Sequence, residues 1–456
     1  MSQDELLRDA TARALEYLRT VDERPVAPAV DAVTRLAELG GPPPEHPEAD
    51  ADILALLDEV GSPATVASAG PRYFGFVVGG SLPVTTATSI LAGAWDQNAF
   101  VQVASPTGTA LERITLEWLV DILGLPSTTY GALVTGTALG NVLGLAAART
   151  ALLADAGWDI EADGLVGAPQ LRVVAGAEAH ATLVGAVALL GLGRARIESV
   201  PVDGQGRMRP EALPPLDDRT ILCVQAGNVN TGALDPAEPL CAAAHEAGAW
   251  VHVDGAFGLW ARATPRLAET ARGYDAADSW ATDAHKWLNV PYDCGAILVR
   301  DPIHLSRAMA VSAAYLPEAA TGNPFDYTPE GSRRARGVGA WAAIRSLGRS
   351  GIADLVDRCC TLARQFGDGL SAGGCEILNE VGLNQVLVAF GDDVTTNAVI
   401  AGVQKDGTCW CGGTVWQGRA AMRISVSSWA TTPADVDQSV AAILRVAKAQ
   451  SLGGGM

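Results

Sequence analysis

Hydrophobic and polar residues alternate in two ways along the middle of this chain. From about residue 105, short and almost wholly apolar runs are separated by longer segments whose apolar residues recur at helical intervals. The predicted strands are 130–135, 171–175, 220–225, 250–253, 279–282 and 296–299, with helices predicted at 111–123, 140–151, 181–190 and 236–247. Apolar strands that alternate with helices are typical of a mainly parallel sheet covered on both faces. The pattern therefore predicts a large α/β domain over residues 105–339.

The two ends of the chain follow different patterns. Residues 1–104 are predicted to be an N-terminal helical arm and dimer-contact segment, because two helical stretches flank a proline-rich link at 40–44. Beyond residue 339, predicted helices at 340–347, 353–370 and 433–447 accompany strands near 385–390, 408–415 and 422–426. This arrangement predicts a smaller α+β domain over residues 340–456.

Composition and charge exclude several classes of function. The chain has 456 residues, of which 48% are hydrophobic and 18% charged, and its net charge of −19 disfavours a nucleic-acid partner. No apolar run is long enough to span a membrane, and the acidic N-terminus does not resemble a signal peptide. The eight cysteines lack the spacing of a zinc site, so we expect a cytoplasmic protein with no bound metal.

Lysine is unusually rare among the basic residues. Of 32 lysines and arginines, only Lys286, Lys405 and Lys448 are lysines. Lys286 follows a predicted strand and comes directly after His285, whereas the other two lie in polar or terminal segments. A desolvated amine is nucleophilic and can form an imine with an aldehyde, whereas a guanidinium stays protonated. We therefore predict that Lys286 holds a carbonyl cofactor covalently.

Asp254 ends the apolar run Trp250-Val-His-Val-Asp254 and is followed by Gly255. In α/β sheets, functional groups collect at the carboxyl ends of strands. A carboxylate there can pair with the nitrogen of a pyridine ring and keep it protonated, so that the ring accepts electrons. The alternative role for Asp254 is to cap the following segment.

Two further features fit the same cofactor. The Gly/Thr-rich turn Val134-Thr-Gly-Thr-Ala-Leu-Gly-Asn141 joins a predicted strand to a helix, and helix N-terminal amides suit a phosphate. His180 also lies between a strand and a helix, where an imidazole can stack on the cofactor ring or simply cap the helix. Together with Lys286 and Asp254, these features predict pyridoxal 5'-phosphate.

In this order, the four features resemble the group II pyridoxal-phosphate decarboxylases, which include the aromatic-L-amino-acid and glutamate decarboxylases. The resemblance covers most of the chain and is most specific in Asp283-Ala-His-Lys-Trp-Leu-Asn-Val-Pro-Tyr-Asp-Cys-Gly295. It implies PLP fold type I, with a large mainly parallel-sheet domain and a smaller α+β domain. It also implies a homodimer with active sites at the interface, and a reaction that releases the α-carboxylate of an L-amino acid as carbon dioxide.

The resemblance also implies roles for individual residues. Lys286 would be the Schiff-base lysine, Asp254 the partner of the pyridine nitrogen, and His180 a ring-stacking base. The other implied cofactor contacts are Thr137, Ala138, Asp283, His285 and Ala256. Phe76 and Val77 would line the substrate pocket, which favours an aromatic or apolar substrate side chain. A loop tyrosine would protonate the α-carbon; Tyr315 matches it by distance from the lysine, and Tyr327 is a second candidate.

Three departures from the family pattern leave the reaction open. Leu139 stands where many relatives have glutamate, and Asn228-Val-Asn230 replaces a pair of threonines. Asp283 stands where aromatic-type members have asparagine, and an anion there would repel phosphate unless it points away. An aminotransferase, a Cα–Cβ lyase or aldolase, and a decarboxylating aldehyde synthase are the alternatives on this fold. An aminotransferase would need an arginine for the α-carboxylate, and the candidates are Arg423, Arg333 and Arg334.

Overall fold

The computed structural model describes residues 1–309 and 322–453, with side chains as far as residue 450. The chain folds into two compact units. The first comprises residues 1–80, 362–378 and 386–456, and the second comprises 81–361 and 379–385. Residues 81–104, which were grouped with the N-terminal arm on sequence grounds, belong to the second unit. Their backbone is bonded into it, since the Leu82 amide donates to the Asn289 carbonyl and the Ala99 amide to the Arg333 carbonyl.

Helices and strands occur in the order that the hydrophobic pattern indicates, with several additions. The helices are α1 (Gln3–Thr20), α2 (Val30–Arg35), α3 (Asp50–Leu56), α4 (Pro83–Trp95), α5 (Pro106–Ile122), α6 (Thr137–Asp155), α7 (Ile160–Asp163), α8 (Ala181–Leu189), α9 (Ala237–Glu246), α10 (Ala284–Trp287), α11 (Pro302–Met309), α12 (Gly337–Ala372), α13 (Asp393–Asp406) and α14 (Pro433–Gly453). The strands are β1 (Tyr130–Val134), β2 (Arg172–Gly176), β3 (Ile197–Val200), β4 (Thr220–Gln225), β5 (Trp250–Asp254), β6 (Ser279–Asp283), β7 (Gly295–Val299), β8 (Glu376–Ile377), β9 (Gln385–Ala389), β10 (Gly412–Trp416) and β11 (Arg419–Ser425). Within α12 the helical backbone is interrupted at Gly348, whose φ is 63°.

A seven-stranded sheet forms the centre of the second unit, with the strand order β1-β7-β6-β5-β4-β2-β3. Strands β2, β3, β4, β5 and β6 are mutually parallel. Strand β7 runs antiparallel to both of its neighbours, β6 and β1. Strands β4 to β7 are almost completely buried, as expected of strands covered on both faces. The predicted α/β class with a mainly parallel sheet is therefore confirmed.

The first unit contains a four-stranded sheet in the order β10-β11-β9-β8, which matches the predicted α+β character of the C-terminal region. Helix α13 packs against β11 and α14. The N-terminal helices α1, α2 and α3 differ from these, because none of their residues is buried. Several of their apolar side chains, including Leu7, Leu15 and Leu18, are therefore exposed.

Helix α6 lies unusually close to the large sheet, where it packs against β5, β6 and β7. By length and composition it is the one helix among the described residues that could cross a membrane, but 72% of its most apolar window is buried inside the chain. Two glycines permit the close approach. A Cβ atom at Gly140 would lie 2.8 Å from Ala281 Cβ, and one at Gly144 would lie 2.4 Å from His252 Cε1.

A buried ion pair joins α5 and β1 to the segment that precedes α12. Arg333 Nη1 donates to Glu112 Oε1 over 3.0 Å, and the same oxygen accepts the Leu133 amide over 3.0 Å. Arg333 Nη2 also donates to the Leu133 carbonyl. Burial raises the pKa of the Glu112 carboxyl, whereas the charge of Arg333 acts in the opposite direction. Both Nη atoms of Arg333 are committed to this structural contact.

Replacing Gly144 by alanine should destabilise the second unit, because the added methyl group would collide with the His252 ring. We expect the free energy of unfolding to fall by about 1–3 kcal/mol. Gly185→Ala in α8 is the matched control, since a Cβ atom there meets nothing within 4 Å. Urea unfolding curves would measure both variants. Equal shifts of the two unfolding midpoints would contradict the proposed close packing of α6.

Candidate active site

The register of three strands brings the predicted site residues to one edge of the large sheet. Val134 and Asp283 pair with Gly295 from its two sides, so the Gly/Thr-rich turn after β1 lies beside the end of β6. Asp254, the last residue of β5, pairs with Ala281 of β6. The turn, the lysine segment and Asp254 thus meet at the carboxyl ends of the strands, where α/β folds bind ligands.

Asp283 joins the lysine to the Gly/Thr-rich turn. Its Oδ2 lies 2.9 Å from Lys286 Nζ, and its Oδ1 accepts the Thr137 amide over 2.7 Å. The carboxylate is only 2% exposed and fits between two glycines, since a Cβ atom at Gly295 would lie 2.8 Å, and one at Gly136 3.3 Å, from Asp283 Oδ1. Its negative charge is therefore balanced by the Lys286 ammonium and the N-terminus of α6.

His285 is held beside the same carboxylate. Its Nδ1 accepts the Cys294 amide over 3.3 Å, and its Nε2 lies 3.6 Å from Asp283 Oδ2. Burial lowers the pKa of His285, so the ring is neutral near pH 7. Because Nδ1 is an acceptor, the single ring proton is on Nε2 and faces Asp283.

Asp254 is 5% exposed and accepts two hydrogen bonds. The Ala256 amide donates to its Oδ1 over 3.3 Å, and Asn141 Nδ2 donates to its Oδ2 over 3.0 Å. The Ala256 carbonyl in turn accepts the Asp283 amide over 3.0 Å. Ala256 therefore links the end of β5 to the end of β6.

His180 occupies the N-cap of α8. Helix capping was the alternative to ring stacking in the sequence analysis. Its Nδ1 accepts the Thr182 amide over 3.3 Å and lies 2.7 Å from Thr182 Oγ1. The neighbouring Ala179 lines a cavity of about 10 Å³ that Asp254 also lines. The capping role of His180 is therefore observed, and its role as a ring-stacking base stays a prediction.

Two tyrosines, Tyr315 and Tyr327, were predicted as candidates for the proton donor to the α-carbon. Tyr315 lies outside the described residues. Tyr327 is buried and packs edge-on against Tyr130, with 5.2 Å between the ring centroids. Tyr130 begins β1, so at about 3.3 Å per residue Tyr327 lies roughly 13 Å along the strand from the Gly/Thr-rich turn. Tyr327 belongs to the core of the sheet and is not placed to reach the strand ends.

Phe76 and Val77, the predicted substrate-pocket residues, belong to the first unit. Both have positive φ, at 52° and 59°, which is uncommon for residues with side chains. Phe76 is 62% exposed, and its ring stacks on Trp410 with a centroid distance of 5.6 Å. Strained backbone of this kind occurs at ligand-binding positions, and the assignment of these residues to the substrate stays a prediction.

The unusual Asn228-Val-Asn230 turn has a structural explanation. Asn228 is fully buried, and its Oδ1 accepts the amides of Asn230 and Thr231 over 2.9 and 3.2 Å. The backbone amide of Asn228 donates to the Ala233 carbonyl. The side chain of Asn228 thus closes the turn from within.

The arginines considered for an aminotransferase are spread through the structure. Arg333 is committed to Glu112, and Arg334 is exposed, with its Nη1 donating to the Tyr292 carbonyl. Arg423 belongs to the first unit, where its guanidinium carbon lies 6.0 Å from the Phe76 ring centroid. The second unit therefore offers neither Arg333 nor Arg334 as a buried, uncommitted partner for a substrate carboxylate.

Sequence reasoning missed two residues that lie behind Asp254. Asn141 comes from α6 and His252 from β5, and their side chains are hydrogen-bonded to each other over 3.0 Å. The available signals were weak: a histidine within an otherwise apolar strand, and an asparagine one helical turn after Thr137.

Residues 40–391 match the pyridoxal-dependent decarboxylase conserved domain, which covers well over half of the chain. The chain belongs to this family. Rice (Oryza sativa subsp. japonica) tryptophan decarboxylase 1 is 27% identical, with 91% of this chain and 87% of that protein covered. Rice tyrosine decarboxylase is 30% identical over 77% of this chain and 69% of that protein. The crystal structure of Oryza sativa TDC with PLP and tryptamine superposes with a TM-score of 0.89, at 24% identity over 98% of this chain and 99% of that one.

These matches confirm the predicted family, fold type and cofactor, and the protein is a pyridoxal-phosphate-dependent carboxy-lyase acting on an amino acid. The residues at the strand ends fit that cofactor. Lys286 supplies an amine and Asp254 a buried acceptor. Thr137 Oγ1 is buried at the N-terminus of α6 and has no hydrogen-bond partner among the described residues, as expected of a hydroxyl reserved for a phosphate.

Lys286→Ala should abolish the visible absorbance that appears when pyridoxal phosphate binds to the decarboxylase, because no other amine is available at Asp283. Lys405→Ala, at an exposed position near the end of α13, is the control and should keep the wild-type spectrum. Titration of the cofactor-free variants in a spectrophotometer would test this. An unchanged band in the Lys286 variant would exclude this lysine as the attachment point.

Proposed function

We propose that this decarboxylase removes the α-carboxylate of an aromatic L-amino acid and releases the corresponding amine and carbon dioxide. The observation that carries the proposal is the contact of Lys286 with Asp283, beside the Asp254 carboxylate at the same sheet edge. The names of the matched relatives, tryptophan and tyrosine decarboxylase, support an aromatic substrate. The apolar residues Phe76 and Val77 support the same substrate class.

Bound pyridoxal phosphate supplies an aldehyde for the substrate amine and a ring that accepts the electrons left behind by carbon dioxide. Lys286 Nζ is the proposed attachment atom, and Asp283 holds it at the end of β6. Asp254 would hold the ring nitrogen by accepting its N–H with the lone pairs that Asn141 and Ala256 leave unused. A carboxylate in this position keeps that nitrogen protonated.

The proton that the α-carbon receives is proposed to come from Tyr315 or His180. In neutral His180, Nδ1 accepts the Thr182 amide, so the proton is carried by Nε2. Tyr327 packs on Tyr130 in the core and is therefore not proposed as the donor. Protonation of the α-carbon by either donor leads to the amine as the product.

Purified holoenzyme should release carbon dioxide and amine in equal amounts from L-tryptophan, L-tyrosine or L-phenylalanine, without an added amino acceptor. We expect kcat/KM for the best aromatic substrate to exceed that for L-glutamate by at least about 100-fold, since an apolar pocket leaves the second carboxylate unpaired. Chromatography of amines, aldehydes and keto acids would follow all products together.

Lys286→Ala serves as the inactive control in the same assay. Aldehyde in place of amine would identify a decarboxylating aldehyde synthase. Keto acid that forms only with an added acceptor would identify an aminotransferase. Faster turnover of an acidic amino acid would overturn the aromatic substrate class while leaving the decarboxylase chemistry intact.

We propose also that the protein is a homodimer, with the N-terminal helices as part of its interface. The supporting observation is that Leu7, Leu15 and Leu18 lie on one face of α1 and are 53%, 46% and 42% exposed. Contiguous exposed apolar surface of this kind marks an interaction site. A second copy of the chain is the partner that the family resemblance implies.

Light scattering should give a mass of twice 47.0 kDa for the wild-type protein. Leu7→Glu combined with Leu15→Glu should shift the protein toward the monomer, because two charges would be buried at the interface. Leu189→Glu, at an exposed site of the second unit, is the control and should leave the mass unchanged. A monomeric wild-type protein would contradict the proposal.

We propose a cytoplasmic location as well. The eight cysteines form no disulfide bonds with one another, and seven of them are buried. Buried thiols of this kind are typical of reducing compartments.

A further inference from the structure

Behind Asp254, a continuous chain of hydrogen bonds crosses the buried side of the sheet. Trp250 Nε1 donates to Ser279 Oγ over 3.0 Å, and Ser279 Oγ lies 2.8 Å from His252 Nδ1. His252 Nε2 lies 3.0 Å from Asn141 Oδ1, and Asn141 Nδ2 donates to Asp254 Oδ2 over 3.0 Å. Asn141, His252 and Ser279 have no exposed surface at all. The chain therefore consists of polar groups that satisfy one another away from water.

The two ends of this chain determine the direction of every hydrogen bond in it. The indole nitrogen of Trp250 can only donate, and the Asp254 carboxylate can only accept. Asn141 must therefore present its nitrogen to Asp254 and its oxygen to His252. That oxygen requires a proton on His252 Nε2, which leaves Nδ1 as the acceptor of the Ser279 hydroxyl. All four donors consequently point toward Asp254.

His252 acts in this chain as a neutral ring. Complete burial lowers the pKa of His252 to about 3, so the imidazole does not become protonated near neutral pH. A neutral imidazole has one protonated and one bare nitrogen, which is the pattern that its two partners require. The ring carries a fixed dipole rather than a charge.

The fold makes room for this arrangement at a specific place. Asn141 follows Thr137 by one helical turn on the same face of α6, and Gly144 lies one turn further along. A Cβ atom at Gly144 would lie 2.5 Å from His252 Nδ1, so the glycine accommodates the ring. Apolar side chains would fill the same volume without any hydrogen-bonding requirement. A purely structural role does not explain why every dipole is directed at one carboxylate oxygen.

We propose that Asn141 and His252 are positioning residues that orient Asp254 as the acceptor for the ring nitrogen of pyridoxal phosphate. This inference rests on the proposed role of Asp254. Asn141 acts directly on Oδ2, and His252 acts through Asn141 by holding its amide in the donating orientation. Neither residue touches the cofactor in this account.

The test compares binding of pyridoxal phosphate with binding of its 1-deaza analogue, in which carbon replaces the ring nitrogen. Both molecules retain the aldehyde and the phosphate, so only the nitrogen contact differs between them. The wild-type protein should prefer pyridoxal phosphate, and Asp254→Ala should abolish that preference. Asn141→Leu should reduce the preference about tenfold, as expected for losing a hydrogen bond to a charged group, while binding of the analogue changes little.

His252→Gln and His252→Asn form a matched pair that separates hydrogen bonding from packing. The longer glutamine amide can reach the position of imidazole Nε2 and donate to Asn141, whereas asparagine reaches only the Nδ1 position near Ser279. We therefore expect the glutamine variant to keep the preference for pyridoxal phosphate and the asparagine variant to lose it. Circular dichroism would show whether Asn141→Leu folds. If it does not, the two His252 variants alone test the positioning role.

The outcomes distinguish the inference from the proposed role on which it depends. If the wild-type protein binds both cofactors equally, the role of Asp254 itself is wrong. If the wild-type preference depends on Asp254 but survives in Asn141→Leu and His252→Asn, the positioning role is overturned and the Asp254 assignment stands. If every variant loses binding of both cofactors equally, the chain of hydrogen bonds serves packing alone. The same conclusion follows if both His252 variants lose the preference for pyridoxal phosphate.

Discussion

The close contact between α6 and the large sheet is the constraint on which the site depends. Gly140 and Gly144 remove the side chains that would hold the helix away from β5 and β6. The first residue of the helix, Thr137, then meets Asp283, and Asn141 meets Asp254 one turn later. A single rigid element thereby sets the distance between Thr137 and Asp254, the residues proposed for the phosphate end and the ring end of the cofactor site. Rigid support of this kind preserves binding geometry better than loops do.

Most of the large sheet could be predicted because its strands are buried on both faces and are therefore apolar along their whole length. β3 was missed for the opposite reason: it lies at the edge of the sheet, and only one of its four residues is fully buried. The division into units was harder to predict. Residues 81–104 look like a continuation of the N-terminal arm, and the backbone contacts that place them in the second unit reach residues 289 and 333.

The site could be predicted only where its chemistry is local in sequence. Lys286, Asp254 and the turn at Thr137 each lie at or just after the end of a strand, and strand order brings these strand ends together. Asn141 and His252 could not be predicted, because the hydrogen bond between them joins positions 111 residues apart and leaves no local pattern. The effect of Asp283 on a bound phosphate also could not be predicted, because the carboxylate repels the phosphate only if the side chain points toward it. That direction is set by two glycines, one of which is distant in sequence.

The strand order has a consequence for how the protein is made. β1 precedes every other strand of the sheet in the chain, yet it pairs only with β7, the last strand to be synthesised. The Gly/Thr-rich turn that follows β1 therefore gains its neighbour Gly295 only after nearly 300 residues have been synthesised. Contacts of such long sequence separation form late and slowly. A chain that ends before β7 lacks Gly295, the residue that lies between Val134 and Asp283, and therefore cannot close this edge of the sheet.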